Sequence, residues 1–262
     1  RGKVVSTPGL GVGGAISHGY RIAAQEIEGD LLGWAAVVMA GDGQMDSEDL
    51  PTLLHSLNEV PFVKGDRWSH ASGLGKMPIR RRLGSRLLST LTALASGVKV
   101  RDPQCGFTAV RLSEVLCWDW VEEWSGYGYP NWWILNLGSE SIPYKEVPVR
   151  SVYGSESSGI KIHKFMFKVA PMLYGGLWKR GWSWYVSDST KISSPWSVRI
   201  SLATFWFASH AAFVVLLADA ALGKGFNPWA PTLSLLGLLI SRMLDRSESV
   251  RRLSVNSLGS SC

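Results

Sequence analysis

The junction between LLGWAAVVM (31–39) and AGDGQMDSEDL (40–50) limits the fold most. A continuous apolar run of strand length predicts a strand covered on both faces. Ser47 stands where an N-cap belongs and acids fill the next turn, so a helix is expected over SEDLPTLLHSL. The same rhythm recurs along the first 150 residues. KVVST reads as a short strand. GLGVGGAISHGYRIAAQE reads as a glycine loop entering a helix, with Ile16, Tyr20, Ala23 and Ala24 on one face. FVKGDRW reads as a strand end, and RRRLGSRLLSTLTALASG as a basic amphipathic helix closed by Gly97. Alternation continues through VRDPQCGFTAVRL and YKEVPVRSVYG. Strands alternating with helices predict an α/β fold with a mostly parallel sheet flanked by helices.

After residue 160 the pattern changes. IKIHKFMFKVAPMLYGGLWKRGWSWYV mixes Lys and Arg with Phe, Met and Trp, which suits a helix lying in a membrane interface. ISLATFWFASHAAFVVLLADAAL (200–222) is apolar over about 20 residues, the length that crosses a hydrocarbon core. A shorter apolar run, FNPWAPTLSLLGLLISRML (226–244), follows a GKGFNP turn. The pair reads as a membrane hairpin, with a pair of buried core helices as the alternative. Lys179, Arg180, Lys191, Arg199, Arg246, Arg251 and Arg252 flank it, so both ends are expected on the cytoplasmic side. The expected division is 1–160 for the α/β domain, 161–199 for the interfacial segment, 200–244 for the hairpin and 245–262 for a polar tail. The 13 Trp crowd the second half, in keeping with a membrane–water boundary. Cys105, Cys117 and Cys262 have no metal-type or paired spacing, so reduced thiols are expected. The chain opens in mid-pattern at RGKVVSTPGLG, as a piece of something longer would.

A formal charge of +6 is compatible with nucleic acid, anionic lipid or a phosphate-rich substrate. The junction bears on that choice. In open α/β sheets ligands bind beyond the carboxyl ends of the strands. Asp42 and Gln44, one residue apart, point the same way in extended chain. A carboxylate and an amide carbonyl are hard donors suited to Mg²⁺ or Mn²⁺ together with substrate phosphates. Gly41 and Gly43 allow a ligand close to the backbone. The plainer alternative is a turn that happens to hold an Asp. The GLGVGGA loop lacks the strand–loop–acid context of a dinucleotide site. His18, His55, His70, His163 and His210 form no ligand-spaced pair, so no zinc is expected.

Seven stretches in order, GVGGAISHGY, VVMAGDGQMDSEDL, KGDRWSH, RRLGSRLLSTLTALASG, RDPQCGFTAVR, YGYPN and VPVRSVYGSESSGI, resemble the family-2 glycosyltransferases. The branch they are most similar to is the dolichol-phosphate (polyprenyl-phosphate) mannosyl or glucosyl synthases, over residues 4–165. The resemblance implies a GT-A fold and inverting transfer of a hexose from GDP-mannose or UDP-glucose to a polyprenyl phosphate at the membrane, not a nucleic-acid partner. It implies Asp42 and Gln44 as holders of Mg²⁺ or Mn²⁺, with Asp42 and Arg67 as catalytic residues. Gly11, Gly13, Gly14, Gly41, Asp42 and Gly43 would contact the donor. Lys64, Arg67, Arg80, Arg81, Gln104 and Ser158 would bind the acceptor phosphate, with Arg82, Arg150 and Ser157 as further candidates. Two closely held phosphates repel, and Arg suits them because its planar fork binds two oxygens. For the RRR run the alternative is a solvated or lipid-facing helix face. Gly154 and Gly159 would flex a loop over the donor. Cys105 is expected to be a packed thiol rather than a nucleophile.

The sequence also departs from that pattern. Ala40 stands where the family has the first acid of its metal motif, and Asp46 is placed to compensate or only to cap the helix. Trp132 replaces an acid after the Asn of YGYPN. The family's opening strand and nucleotide-contacting Asp have no counterpart after Arg1. These departures leave two other readings: an inactive relative serving as a membrane-anchored binding or assembly module, or a family-2 transferase with another membrane acceptor.

Overall fold

The computed structural model describes residues 4–70, 79–152, 162–187, 196–225 and 227–256. Helix α1 (Gly11–Gln25) precedes strand β1 (Ala35–Val38), α2 (Leu50–Ser56), β2 (Phe62–Asp66), α3 (Ile79–Ser96) and β3 (Thr108–Arg111). The short α4 (Leu112–Val115) leads to α5 (Tyr129–Glu140) and β4 (Tyr144–Pro148). Three long helices follow: α6 (Ile162–Tyr185), α7 (Trp196–Ala221) and α8 (Trp229–Asn256).

The four strands form one sheet in the order β1-β3-β2-β4. Strand β2 shows why two helical layers are needed. Successive side chains of a strand point to opposite faces. Phe62 enters the layer of Tyr20, Trp118, Trp120, Trp133 and Ile134, its ring 5.2 Å from that of Trp133. Val63 enters the opposite layer with Leu53 of α2, Phe107 and Val147. All five β2 residues are buried.

The sheet is mixed, which corrects the expectation of a mostly parallel one. β2 pairs parallel with β4, but β3 runs antiparallel to both β1 and β2. The cause is residues 98–107. Helix α3 brings the chain back to the start of β4, where the Tyr144 hydroxyl donates to Lys99 O (2.7 Å). The next residues then run forward again to the carboxyl end of β2, where Gly65 N–H donates to Phe107 O (2.8 Å). β3 therefore starts where β2 ends. Element alternation shows that a helix intervenes; it does not count the reversals in the loop after it.

Other expectations shift as well. β1 is an edge strand of the described sheet, exposed at Ala35 and half-buried from Ala36 to Val38, not covered on both faces. The KVVST stretch forms no ladder among the described residues, and Val4 is exposed. Asp46, one residue ahead of Ser47, caps the 3-10 turn Ser47–Asp49 that leads into α2: its carboxylate accepts from Glu48 N–H (2.9 Å).

Helix α6 is more than an interfacial segment. Its Val169, Met172 and Leu173 pack with Leu88 and Ala95 of α3 and Leu135 of α5. Phe167, Tyr174 and Trp182 stay exposed on its other side. Helix α7 has 26 residues and contains an 18-residue stretch with a mean hydropathy of 1.9, so it is long and apolar enough to cross a membrane. Among the described residues it alone meets that test. In α8 the apolar stretch 229–241 ends at Arg242, which gives about 20 Å of helix against a core of about 30 Å. Nor is there a break at 244: α8 continues to Asn256.

The buried foot of the α7–α8 pair explains this continuity. Asp245 of α8 accepts from Arg180 Nη2, the Tyr185 hydroxyl and Trp206 Nε1, each at 2.9 Å. Arg180 also donates to the last carbonyls of α3, Ala95 O (2.9 Å) and Leu94 O (3.2 Å). A cation at a helix C-terminus is favoured by the helix dipole. One ion pair thus joins four helices.

Candidate functional site

The carboxyl ends of β2 and β4 and the loop after β1 meet around a cavity of about 180 Å³. Asp42, Gln44, Arg67, Gln104, Cys105 and Arg150 line it. Five of the residues expected from sequence are therefore brought together: Asp42, Gln44, Arg67, Gln104 and Arg150.

Arg67 sits immediately after β2 and is held by Asp102. Its Nε and Nη2 donate to the two oxygens of that carboxylate at 2.7 and 2.9 Å, and its backbone N–H donates to Oδ2 at 3.2 Å. Such a two-pronged, charge-assisted pair fixes the guanidinium plane. Asp102 is fully buried. Burial alone would push its carboxyl up; the hydrogen bonds and charge of Arg67, with the charge of Lys64, outweigh it and hold the pKa below its ordinary range. The Asp102 loop is itself anchored by Glu146 of β4, whose carboxylate accepts from Arg101 N–H (2.8 Å) and Asp102 N–H (3.1 Å). Burial pushes the Glu146 carboxyl up against those bonds and Lys64.

Lys64 lies elsewhere than an acceptor-phosphate ligand should. It is buried in β2 and its ammonium donates to Asp102 O. Its charge therefore supports Arg67 from behind and does not face the cavity.

Arg150, just past β4, closes the other wall. Its Nη1 contacts Asp46 (2.9 Å) and Glu48 (2.6 Å), its Nε lies 3.3 Å from Asp49, and its N–H donates to Asp49 Oδ2 (2.6 Å). Asp46 is thus a cap and an ion-pair partner at once. Asp42 is exposed, and Oδ1 accepts from Gln44 N–H (3.0 Å), which folds the loop into a side-chain-closed turn. Gly43 sits in the left-handed region at φ +72° that this turn requires, and a Cβ on Gly41 or Gly43 would meet nothing within 4 Å.

Gln104 Nε2 donates to the buried Asn131 Oδ1, and Asn131 in turn donates to Thr92 Oγ1 (2.7 Å). Burial, with the Asp102 charge, pushes the Cys105 thiol up, as befits a packed thiol. Gly106 has a steric reason: a Cβ there would lie 2.8 Å from the Tyr129 hydroxyl.

Gly11, Gly13 and Gly14 do not line the cavity. They form the first turn of α1, where Gly13 N–H donates to Ser125 O (2.8 Å) and a Cβ on Gly13 would lie 2.2 Å from Trp124 O. Their visible role is close packing on residues 124–125. Arg80 and Arg81 belong to the first turn of α3, but their side chains lie outside the described residues, as do Gly154, Ser157, Ser158 and Gly159. Trp132 fills its place structurally: Nε1 donates to Trp120 O (2.8 Å), its ring stacks on Trp124 at 5.9 Å, and the Lys179 ammonium lies 5.6 Å from its centroid.

Sequence reasoning missed Asp102, Asp49 and Glu146 as parts of the site. A usable signal existed for Asp102, since KGDR places two cations at a strand end and RDPQ holds an acid in the loop that leads to the next strand.

Among the described residues no group of three or more His, Cys, Asp or Glu is placed to hold a metal ion. One exposed carboxylate with a neighbouring Gln fits a divalent ion that arrives with a diphosphate, because Mg²⁺ keeps several waters and uses one or two carboxylates beside substrate phosphates.

No family model matches the chain. Over 145 residues it is 26% identical to the UDP-N-acetylglucosamine–dolichyl-phosphate N-acetylglucosaminyltransferase of Methanococcus voltae. The match covers 55% of this chain and 56% of that protein, so the chain spans about half the length of the curated relative it matches. This distant likeness agrees with the resemblance to family-2 glycosyltransferases at the level of the superfamily, while the particular sugar is not fixed by it.

Proposed function

We propose that the chain serves the transfer of a hexose from a nucleotide sugar to a polyprenyl or dolichyl phosphate at the cytoplasmic face of a membrane. The observation that carries this reading is the single cavity that joins Asp42, Gln44, Arg67, Gln104 and Arg150 at the carboxyl ends of the strands. GDP-mannose and UDP-glucose are the donors the sequence resemblance suggests, and UDP-N-acetylglucosamine is the one the relative's name adds.

The acceptor phosphate is already an anion, so its attack on the anomeric carbon needs no general base. The cavity's task is to hold two phosphate-bearing groups that repel each other. Arg67, fixed by Asp102, presents a positive charge to one of them without rearrangement, which is how a preorganised site lowers a barrier. Arg150 lies across the cavity, and a diphosphate there competes with Asp46, Glu48 and Asp49 for its guanidinium. Gln104 is held by Asn131 where its carbonyl oxygen remains an acceptor for a sugar hydroxyl. Asp42 and Gln44 would hold Mg²⁺ or Mn²⁺, which when bound offsets the charge that grows on the departing nucleoside diphosphate.

The test is transfer by the full chain in lipid nanodiscs. GDP-mannose, UDP-glucose and UDP-N-acetylglucosamine are supplied in turn with polyprenyl phosphate, with Mn²⁺ or with a chelator. A chelator-sensitive polyprenyl-phospho-sugar from one donor is the expected product. Donor binding without product from any of them would replace this reading with that of a binding module, for which Ala40 in place of an acid is the supporting feature.

A further inference from the structure

A second groove, of about 740 Å³, lies between α8 and the opposite end of the sheet from the cavity described above. One wall is Lys99 with Ile142–Tyr144, at the amino end of β4; the other is α8 from Arg242 to Leu253. Its lining has two kinds of chemistry. Lys99, Arg242 and Arg246 supply positive charge, and Met243, Val250 and Leu253 supply apolar surface. Lys99 and Arg246 are exposed, and neither is engaged in an ion pair among the described residues.

Helix α8 sets the groove in context. Leu236, Leu239, Met243 and Val250 are all more than half-exposed and lie three, four and seven residues apart, so they form one stripe along the helix. The stripe begins in the apolar half of α8 and continues into the groove. The opposite face of the same turns is fully occupied: Asp245 pairs with Arg180, and Arg252 donates to Ser183 O (3.2 Å). Arg242 and Arg246 therefore stand at the foot of the α7–α8 pair, at and one turn past the end of the apolar stretch 229–241, where a helix leaving hydrocarbon would meet headgroups.

We propose that this groove binds an anionic phospholipid, its phosphate among Lys99, Arg242 and Arg246 and one acyl chain along the Leu236–Leu239–Met243 stripe. Charge complementarity selects the headgroup, because basic side chains at a membrane surface attract anionic lipid. The continuity of the stripe with the apolar half of α8 selects a lipid over a free anion. Glu146 at the groove's edge is the one opposing charge in its lining, and it is turned inward onto the N–H groups of Arg101 and Asp102. The site is separate from the cavity of Asp42 and Arg67 and stands whether or not the chain transfers sugar.

The experiment uses the full chain in a neutral detergent. Retention of short-chain phosphatidylglycerol is compared with that of phosphatidylcholine of the same chains by native mass spectrometry. Phosphatidylglycerol should be retained in preference. The double variant Lys99→Glu with Arg246→Glu should weaken that retention by more than about tenfold, since each basic residue near a lipid surface contributes about fivefold. Arg21→Glu, a charge reversal outside the groove in a surface pair with Glu122, should leave it unchanged. Both groove positions are exposed, so the variant should keep its circular dichroism spectrum and unfolding temperature. Equal retention of the two lipids, wild-type retention by the double variant, or displacement by inorganic phosphate alone would overturn the proposal. So would a stable dimer that buries the stripe and excludes lipid.

Discussion

Two arginines each pair with acid from a distant part of the chain, and they do so in opposite surroundings. Arg150 meets Asp46, Glu48 and Asp49 with about a third of its side chain exposed. Arg180 meets Asp245 with none of its side chain exposed, under the rings of Trp184 and Trp206. Water reaches Arg150 and can take the place of the exposed Glu48 at little cost. No water competes at the second, so each group there depends on the other. The same residue type thus makes an exchangeable contact at the cavity and a fixed joint beneath α7 and α8. A cavity that admits and releases charged ligands, as the proposed reaction requires, would be served by the former. A joint that must hold helices at a set distance from a sheet is served by the latter.

The largest effect should come from splitting the fixed joint. Asp245→Ala leaves Arg180 buried and unpaired, a loss of about 3–5 kcal/mol for a broken buried pair. A large drop in unfolding temperature in detergent would be its signature. Replacing both partners by apolar residues should recover much of that loss, and failure to recover would show that the carbonyl contacts of Arg180 to Leu94 and Ala95 matter more than the pair.

Next comes Arg67. Removing a charge-assisted hydrogen-bond donor is worth roughly 1.5–3 kcal/mol, or about tenfold to a hundredfold. Arg67→Ala should weaken use of polyprenyl phosphate by that factor and donor affinity far less, in kinetics at saturating nucleotide sugar. A loss confined to the donor would move Arg67 to the nucleotide side of the cavity.

A smaller effect is expected from pH. The Asp102 pKa is depressed on folding, so its contribution to stability is complete above its ordinary value of 3.8 and is lost as pH falls below it. Glu146 acts in the opposite sense: its pKa is raised above 4.5, so its cost grows as pH rises from 4.5 through the raised value. Acid titration of unfolding should therefore show a slight gain on approach to pH 4.5 from neutrality and a loss below 3.8. Asp102→Asn should flatten the acid limb; an unchanged limb would assign acid sensitivity to other carboxylates.

The smallest change in stability should follow from Arg150→Ala. Its contacts are exchangeable, so the unfolding temperature should hardly move. Asp46, Glu48 and Asp49 would lose their counter-charge, and the cavity should bind Mn²⁺ more tightly by calorimetry. A clear fall in unfolding temperature would mean that the cavity clamp is as structural as the joint.

The sequence showed much of the element list and the strand-end placement of Asp42, Gln44 and Arg67, because apolar periodicity and strand ends are local features. It did not show the direction of β3, which depends on a second reversal between Val98 and Phe107. Nor did it separate glycines that admit a ligand from those that admit another backbone: Gly13 packs on Trp124, whereas Gly43 turns the Asp42 loop. Lys64 and Arg67, three residues apart around one strand end, look alike as cations in the sequence. Only the path of the Asp102 loop sends one inward and leaves the other at the cavity wall.

The unbroken course of α8 has a mechanical consequence. Pinned at Asp245, it is a rod with about 24 Å on its apolar side and about 16 Å beyond, at 1.5 Å per residue. Helices in bilayers tilt to match the hydrocarbon thickness. Placed in a bilayer, the rod becomes a lever: a tilt of its long arm swings the short arm, and with it the groove wall at Val250 and Leu253, against the sheet. Membrane thickness would then be a mechanical input to the α/β domain.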